Sequence, residues 1–237
     1  MKEITKLLFA TSLSACLCAE AVASDKRYQI SGELGVSHLE SMNDYTYNII
    51  GKKHDNALAA GIGFSKEISP SLFLGVDYSY RRFEGSEDIK QFSGGNTYKI
   101  ASSDILAKNF SLNATYYMSV LVAETNLPTP FLAIGGGKSR NIQKNKYVYK
   151  IGSDESISEQ DTFSGKHNAY SYKLAFGLSY PIYDDMNFEM KYEHNGFGNI
   201  RAYKESGRIT NLADFNDLSY SSSLKSDSIM GSLTYRF

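Results

Sequence analysis

The 237-residue chain contains no tryptophan, only four prolines and only two cysteines. Both cysteines, Cys16 and Cys18, lie near the N-terminus. If that segment is removed, as argued below, neither disulfides nor thiol catalysis are open to the rest of the chain. Outside the N-terminus no apolar run is long enough to cross a bilayer as a helix, which excludes a helical membrane protein. Neither sign of charge dominates: 25 Lys and Arg stand against 26 Asp and Glu, a net charge of -1. No basic excess points to nucleic acid. Histidine is scarce, with four residues, and no His-Glu-x-x-His spacing occurs. No metal site, cofactor site or catalytic set is therefore expected from motif alone. What the chain has in quantity is 18 Tyr and 13 Phe, an aromatic supply suited to strands and to membrane interfaces.

Residues 1–23 read as a secretory signal. Lys2 and Lys6 supply the positive start, the stretch from Leu7 to Cys18 is mostly apolar, and Ala21-Val22-Ala23 is a small-x-small cleavage site. The mature chain, 24–237, is then a single domain. A rival reading is that Leu13-Ser14-Ala15-Cys16 resembles a lipoprotein box, with Cys16 lipidated, although a spanning barrel gains little from a lipid anchor.

The end of the chain is the clearest signal. Phe237, Tyr235, Leu233, Gly231 and Ile229 alternate with Arg236, Thr234, Ser232 and Ser228. Such alternation makes a strand with one apolar and one polar face. Similar alternation marks strands at about 27–37, 56–66, 72–81, 108–118, 169–180 and 187–194. A short Gly-rich strand at 131–137 has faces that the pattern does not assign. That makes eight strands. Long polar stretches at 38–55, 84–104, 138–167 and 196–223 alternate with short connections, and all four prolines fall in the short ones. Regular long–short alternation of this kind belongs to an up-and-down antiparallel transmembrane β-barrel with four long external loops. An ordinary edge strand in a soluble sandwich would explain the terminus but not the parity of the loops.

The polar faces collect Glu33, Asp77, Arg81, Lys173, Glu189, Lys191, Glu193 and Arg236 among Ser, Gly and Asn. Bulky Leu, Phe and Tyr at nearly every inward site would overfill an eight-stranded barrel. Pointing them at lipid leaves four acids and four bases to pair inside. Lys173 is expected to find its partner among Glu189 and Glu193 of the neighbouring strand. In this register Tyr28, Phe64, Tyr116, Tyr180, Phe188, Tyr235 and Phe237 form one aromatic belt. Tyr78, Tyr80, Phe110, Tyr170, Tyr172 and Tyr192 form the other.

The terminal strand resembles that of bacterial outer-membrane barrels, in which it closes the barrel and is read by the assembly machinery. Over nearly the whole mature chain the sequence resembles the opacity-protein-like family of small outer-membrane barrels. The residues that carry this are Gly32-Glu33-Leu34-Gly35, 131–137, Phe188-Glu189-Met190-Lys191-Tyr192-Glu193 and the 233–237 end. The resemblance implies a Gram-negative outer membrane, contact with its lipid and lipopolysaccharide, and a surface-antigen or adhesin role. Recognition of host-cell or serum proteins would then lie in the external loops.

An enzyme would have to use His38, His54, His167 or His194. His194, beside Glu193, is the best placed. Lipid A deacylases resemble this locally, but the serine that follows their histidine is missing from His194-Asn195-Gly196-Phe197. Gly135-Gly136-Gly137-Lys138 lacks the spacing of a phosphate loop. The sequence therefore favours a non-enzymic surface protein, with a lipid-active enzyme built on His194 as the alternative. A diffusion porin fits poorly, because eight strands leave a lumen filled by side chains.

Overall fold

The computed structural model describes residues 27–40, 57–85, 89–91, 97–118, 127–150, 158–206 and 219–237. Its strands are β1 (Tyr28–Leu39), β2 (Ala57–Ser69), β3 (Leu72–Gly85), β4 (Ile89–Gln91), β5 (Thr97–Tyr117), β6 (Thr129–Lys150), β7 (Ser158–Tyr183), β8 (Met186–Ser206) and β9 (Ser219–Arg236). All pairings are antiparallel. The three-residue β4 only pairs with the start of β5. The other eight close into a ring, because β3 also pairs with β5 and β1 pairs with β9. This is the eight-stranded barrel that the alternation predicts. The segment 1–23, with Cys16 and Cys18, lies outside the described residues, as does 41–56.

The faces follow the sequence pattern. On β7, Ser171, Lys173, Ala175 and Ser179 are buried, while Tyr170, Tyr172, Leu174, Phe176, Leu178 and Tyr180 are exposed. The Gly-rich β6 resolves the same way: Phe131, Ala133, Ser139 and Asn141 face the lumen, and Leu132 and Ile134 face outward. Leu34, Val36, Leu58, Leu74, Leu112, Met190, Ile229 and Leu233 continue a band of exposed apolar side chains around the barrel. No soluble protein exposes so continuous an apolar surface without covering it. Lipid is the solvent that removes its cost.

The closing seam is built by the chain ends. Tyr28 N donates to Phe237 O at 3.0 Å, and Phe237 N donates to Tyr28 O at 2.9 Å. The ring of Tyr28 stacks on Phe64 at 5.9 Å and on Phe237 at 6.1 Å, and Tyr235 stacks on Phe237 at 6.2 Å. The terminal residue therefore fastens both the backbone ladder and one aromatic belt. This edge is called the terminal rim below, and the opposite edge the far rim.

The lumen is filled in three layers. Near the terminal rim, Phe73, Tyr117 and Phe131 form an aromatic stopper, with the Arg236 guanidinium 5.2 Å from the Phe73 ring. The middle is charged. Arg81 Nη2 meets Glu193 Oε2 at 2.6 Å, and Lys191 Nζ bridges Glu193 Oε1 at 3.0 Å and Glu33 Oε1 at 2.6 Å. Lys173 Nζ meets Asp77 Oδ1 at 2.8 Å, and Asp77 also accepts from Ser111 and Asn113. Tyr117 OH donates to Glu189 Oε1 at 2.7 Å. Toward the far rim, Leu39, Phe83, Ile105, Phe197, Ile200 and Leu224 form an apolar plug. Lys173 thus faces inward as expected, but its ion pair is with Asp77 across the lumen, not with Glu189 or Glu193 next door. Glu193 is already engaged by Arg81 and Lys191, and the long lysine crosses the lumen to Asp77.

Three expected loops are largely strand. The stretch 138–167 continues the β6–β7 ladder without a register break from Thr129↔Ser179 to Lys150↔Ser158. The stretch 84–104 holds the end of β3, β4 and the start of β5, and 196–223 holds the extensions of β8 and β9. Of 38–55, only the first residues are described, and they end β1. Pro130 and Pro181 also lie inside strand ends rather than in connections, Pro181 next to a register break. Proline is tolerated there because ladder bonding is ending.

Two outcomes are expected. Deleting Phe237 removes the seam contacts and should lower the fraction of protein that shifts mobility on heating in detergent gels; an unchanged fraction would refute this role. Lys173→Met strands Asp77 in the lumen and should cost about 3–5 kcal/mol in urea unfolding in micelles. The double variant Asp77→Leu/Lys173→Met should lose clearly less than the two single losses combined.

Candidate functional site

The candidate site is a row of outward-facing polar side chains near the far rim. The ladder places Asp227 of β9 directly opposite His38 of β1 on one side and His194 of β8 on the other. Directly opposed residues on one face lie close enough for their side chains to touch. His194 Nδ1 is 2.9 Å from Asp227 Oδ1 and 3.6 Å from Glu40 Oε1. Tyr192 OH donates to Asp227 Oδ1 at 2.6 Å. On the other edge of the ring, Nε2 is 3.2 Å from Tyr172 OH.

Two glycines on β8 shape this corner. A Cβ on Gly196 would fall 2.2 Å from the Tyr172 ring, so the tyrosine lies across the bare glycine backbone and reaches the imidazole. Gly198 has a φ of +70°, in the left-handed region that favours glycine. It sits in the register break between Gly196 and Asn199. This bulge shifts the phase of the strand, so that both Phe197 and Ile200 point into the lumen. Beyond the bulge the alternation no longer continues that of 187–194.

His194 is therefore on the outward face, but its carboxylate partner is Asp227, not Glu193. Glu193 points the other way, 1 % exposed, into the charged middle of the lumen. Neighbours along a strand always face opposite ways. The serines flanking Asp227 do not serve His194 either. Ser226 and Ser228 are buried on the lumen side, and Ser228 donates to Ser37 at 2.8 Å. Both ring nitrogens of His194 are engaged, one by carboxylate and one by phenol. His167 pairs with Asn141 in the β6–β7 ladder, away from this row; His54 lies outside the described residues.

Chemically, the row can offer three ligand atoms to a cation. Those atoms of Glu40, His194 and Asp227 all lie within 4.8 Å of one another. Sequence reasoning found His194 and missed Glu40 and Asp227. The three are far apart in sequence, and only the strand register brings them together.

The lumen is not a second site of comparable form. One polar cavity of about 50 Å³ lies beside Glu33, Asp77, Lys173, Glu189 and Lys191, room for a few waters among the ion pairs. Apolar clusters lie above and below it in the lumen.

No family model matches the chain, and no curated protein is similar to it in sequence. Solved outer-membrane proteins have a similar backbone. The outer membrane protease OmpT from Escherichia coli is 13% identical, over 92% of this chain and 99% of that one, with a TM-score of 0.49. OprG from Pseudomonas aeruginosa is 12% identical, over 89% and 95%, with a TM-score of 0.48. Neisserial surface protein A is 12% identical, over 91% and 100%, with a TM-score of 0.46. Likeness at this level concerns the barrel, not the protease or any other role. The chain folds as a small barrel of the outer-membrane kind. That conclusion rests on its own geometry, a closed ring with a charged lumen and an apolar exterior. It is the architecture that the resemblance to the opacity-protein-like family implies.

The contrast between row and lumen is measurable. His194 is partly exposed, so its pairing with Asp227 should be worth no more than about 1 kcal/mol. His194→Ala should leave the heat-shifted form intact and move the urea midpoint far less than Lys173→Met does.

Proposed function

We propose that this protein is a non-enzymic outer-membrane surface protein whose far rim faces out of the cell and contacts another surface. The observation that carries this reading is the height of one wall. β6 has 22 residues and β7 has 26, whereas β1 has 12 and β2 has 13. About ten residues per tilted strand suffice to span a bilayer. At about 3.3 Å per residue, β6 and β7 continue far beyond that requirement. Because the terminal rim carries the short turns, the surplus projects from the far rim. A hairpin whose backbone ladder is already formed needs less ordering on binding than a free loop.

Partners fit the same arrangement. The ladder places Lys138 on one rung between Phe110 and Tyr170, and Arg140, Lys166 and Lys144 on successive rungs farther toward the far rim. All four are exposed. Cations at headgroup level support contact with the phosphates of lipopolysaccharide. Above them, host-cell or serum proteins are the proposed partners of the hairpin. At the terminal rim, the Phe237 strand end is the proposed element read by barrel-assembly machinery.

The rival reading, a lipid-active enzyme, is favoured by the outward position of the His194–Asp227 pair at the edge of the apolar band. One experiment separates the two. Joining the paired residues Asn141 and His167 through an Asn-Gly turn removes the upper β6–β7 hairpin and leaves the spanning part. Intact cells carrying this variant should keep the heat-shifted barrel and lose most binding to host cells or serum proteins. His194→Ala should bind as well as the parent. Full binding by the shortened barrel, with a lipid-modifying activity lost in His194→Ala, would make the enzyme reading correct.

A further inference from the structure

We propose that Glu40, His194 and Asp227 form a site for one divalent transition-metal ion of the zinc class, open toward the headgroup layer. The separations fit such an ion. Zinc holds imidazole nitrogen and carboxylate oxygen at about 2.0–2.1 Å, so ligand atoms in a tetrahedral shell lie about 3.3 Å apart. Nδ1 of His194 stands 2.9 Å from Asp227 Oδ1 and 3.6 Å from Glu40 Oε1. The three donors, all within 4.8 Å of one another, leave one position of a tetrahedron vacant. The side chains are 28%, 33% and 40% exposed, so water or a phosphate oxygen can reach that position.

The donor set selects the class of ion. One imidazole with two carboxylates suits zinc and its first-row neighbours. Calcium needs six to eight oxygens and magnesium keeps most of its waters, so neither is served by three ligands that include a nitrogen. Charge balance points the same way. Two carboxylates converge on one imidazole, and a divalent cation satisfies both while leaving the ring neutral. His38, opposite Asp227 in the ladder, is the next donor in the row.

The surrounding groups hold the ligands in place. With Nε2 protonated and directed at Tyr172 OH, Nδ1 presents its lone pair toward Asp227 and Glu40. Tyr172 is itself seated over Gly196. Tyr192 OH fixes Asp227 Oδ1. Partners of this kind typically change metal affinity by about 10–100-fold. The three ligands come from the barrel wall and its immediate end, so little reorganisation accompanies binding.

The test is calorimetric titration of Zn²⁺ into the folded barrel, purified in detergent without a polyhistidine tag. We expect one equivalent bound, weaker binding at about pH 5.5 than at pH 7.5 because protons compete for the ligands, and a higher unfolding temperature with zinc. His194→Ala should abolish that binding, Glu40→Gln should weaken it, and Tyr172→Phe should weaken it about 10-fold or more. Each variant is checked for the heat-shifted form, so lost binding is not lost folding. A Co²⁺ complex should show the visible absorption of a tetrahedral nitrogen–oxygen site. Absence of Zn²⁺ binding, binding unchanged in His194→Ala, or Ca²⁺ binding as tight as Zn²⁺ would each overturn the proposal.

Discussion

The structure depends on pairing charges across a lumen too narrow for water to do the work. Arg81, Lys173 and Lys191 meet Glu193, Asp77 and Glu33 at 2.6–3.0 Å in the middle of the barrel. A single unpaired charge there would cost several kcal/mol, and a well-made network offsets that penalty without adding much net stability. Its larger effect is on specificity. Every strand that contributes a charge must present it inward, and the period-two geometry then sends its Leu, Phe and Tyr outward. A one-residue slip would place Lys173 in lipid and Leu174 in the lumen. The ion pairs and the apolar band are therefore one constraint seen from two sides, and together they make the bilayer part of the fold.

The same constraint explains what was legible in the sequence. Alternation over 169–180 and 228–237 states which face is apolar, and the number of strands, the orientation and both aromatic belts follow from it. Ion-pair identity does not follow. Lys173 pairs with Asp77, whose strand is separated from β7 by two others, and periodicity carries no information about reach across a lumen. The upper halves of β6 and β7 were illegible for a different reason. There the lumen face itself is polar, with Ser139, Asn141 and Gln143 buried, so the apolar–polar contrast vanishes and a continuous ladder reads as a polar loop. The β8 extension was hidden by the bulge at Gly196–Asn199, where a change of phase breaks the pattern although the strand continues.

The rim cluster shows how a β-barrel hides a site from sequence inspection. A helix can bring ligands together at three- or four-residue spacing, which a motif records. A barrel brings them together by register between strands distant in the chain, here β1, β8 and β9. His194 stood out because histidine is scarce; Asp227 and Glu40 did not, because acids are common. Asp227 becomes informative once the β8–β9 register is known, and Glu40 once the β1–β9 seam is known. The β1–β9 seam runs from Gln29↔Arg236 at the terminal rim to Leu39↔Ser226 beside the cluster at the opposite rim.

The lumen changes character where the wall leaves the bilayer. At mid-barrel the interior is charged and the exterior apolar, while nearer the far rim Phe83, Ile105, Phe197, Ile200 and Leu224 fill the inside. There the hydrophobic effect organises an interior core as well as the exterior band. Leu39 and Ala57, at the far ends of the short strands β1 and β2, join the same plug. It therefore joins β1 and β2 to β3, β5, β8 and β9 inside the barrel. One chain thus uses two folding solvents in series, a lipid-facing barrel below and a water-facing β-structure above. The bulge at Gly198 contributes to the changeover by turning Ile200 into the plug beside Phe197, while His194, before the bulge, still faces out.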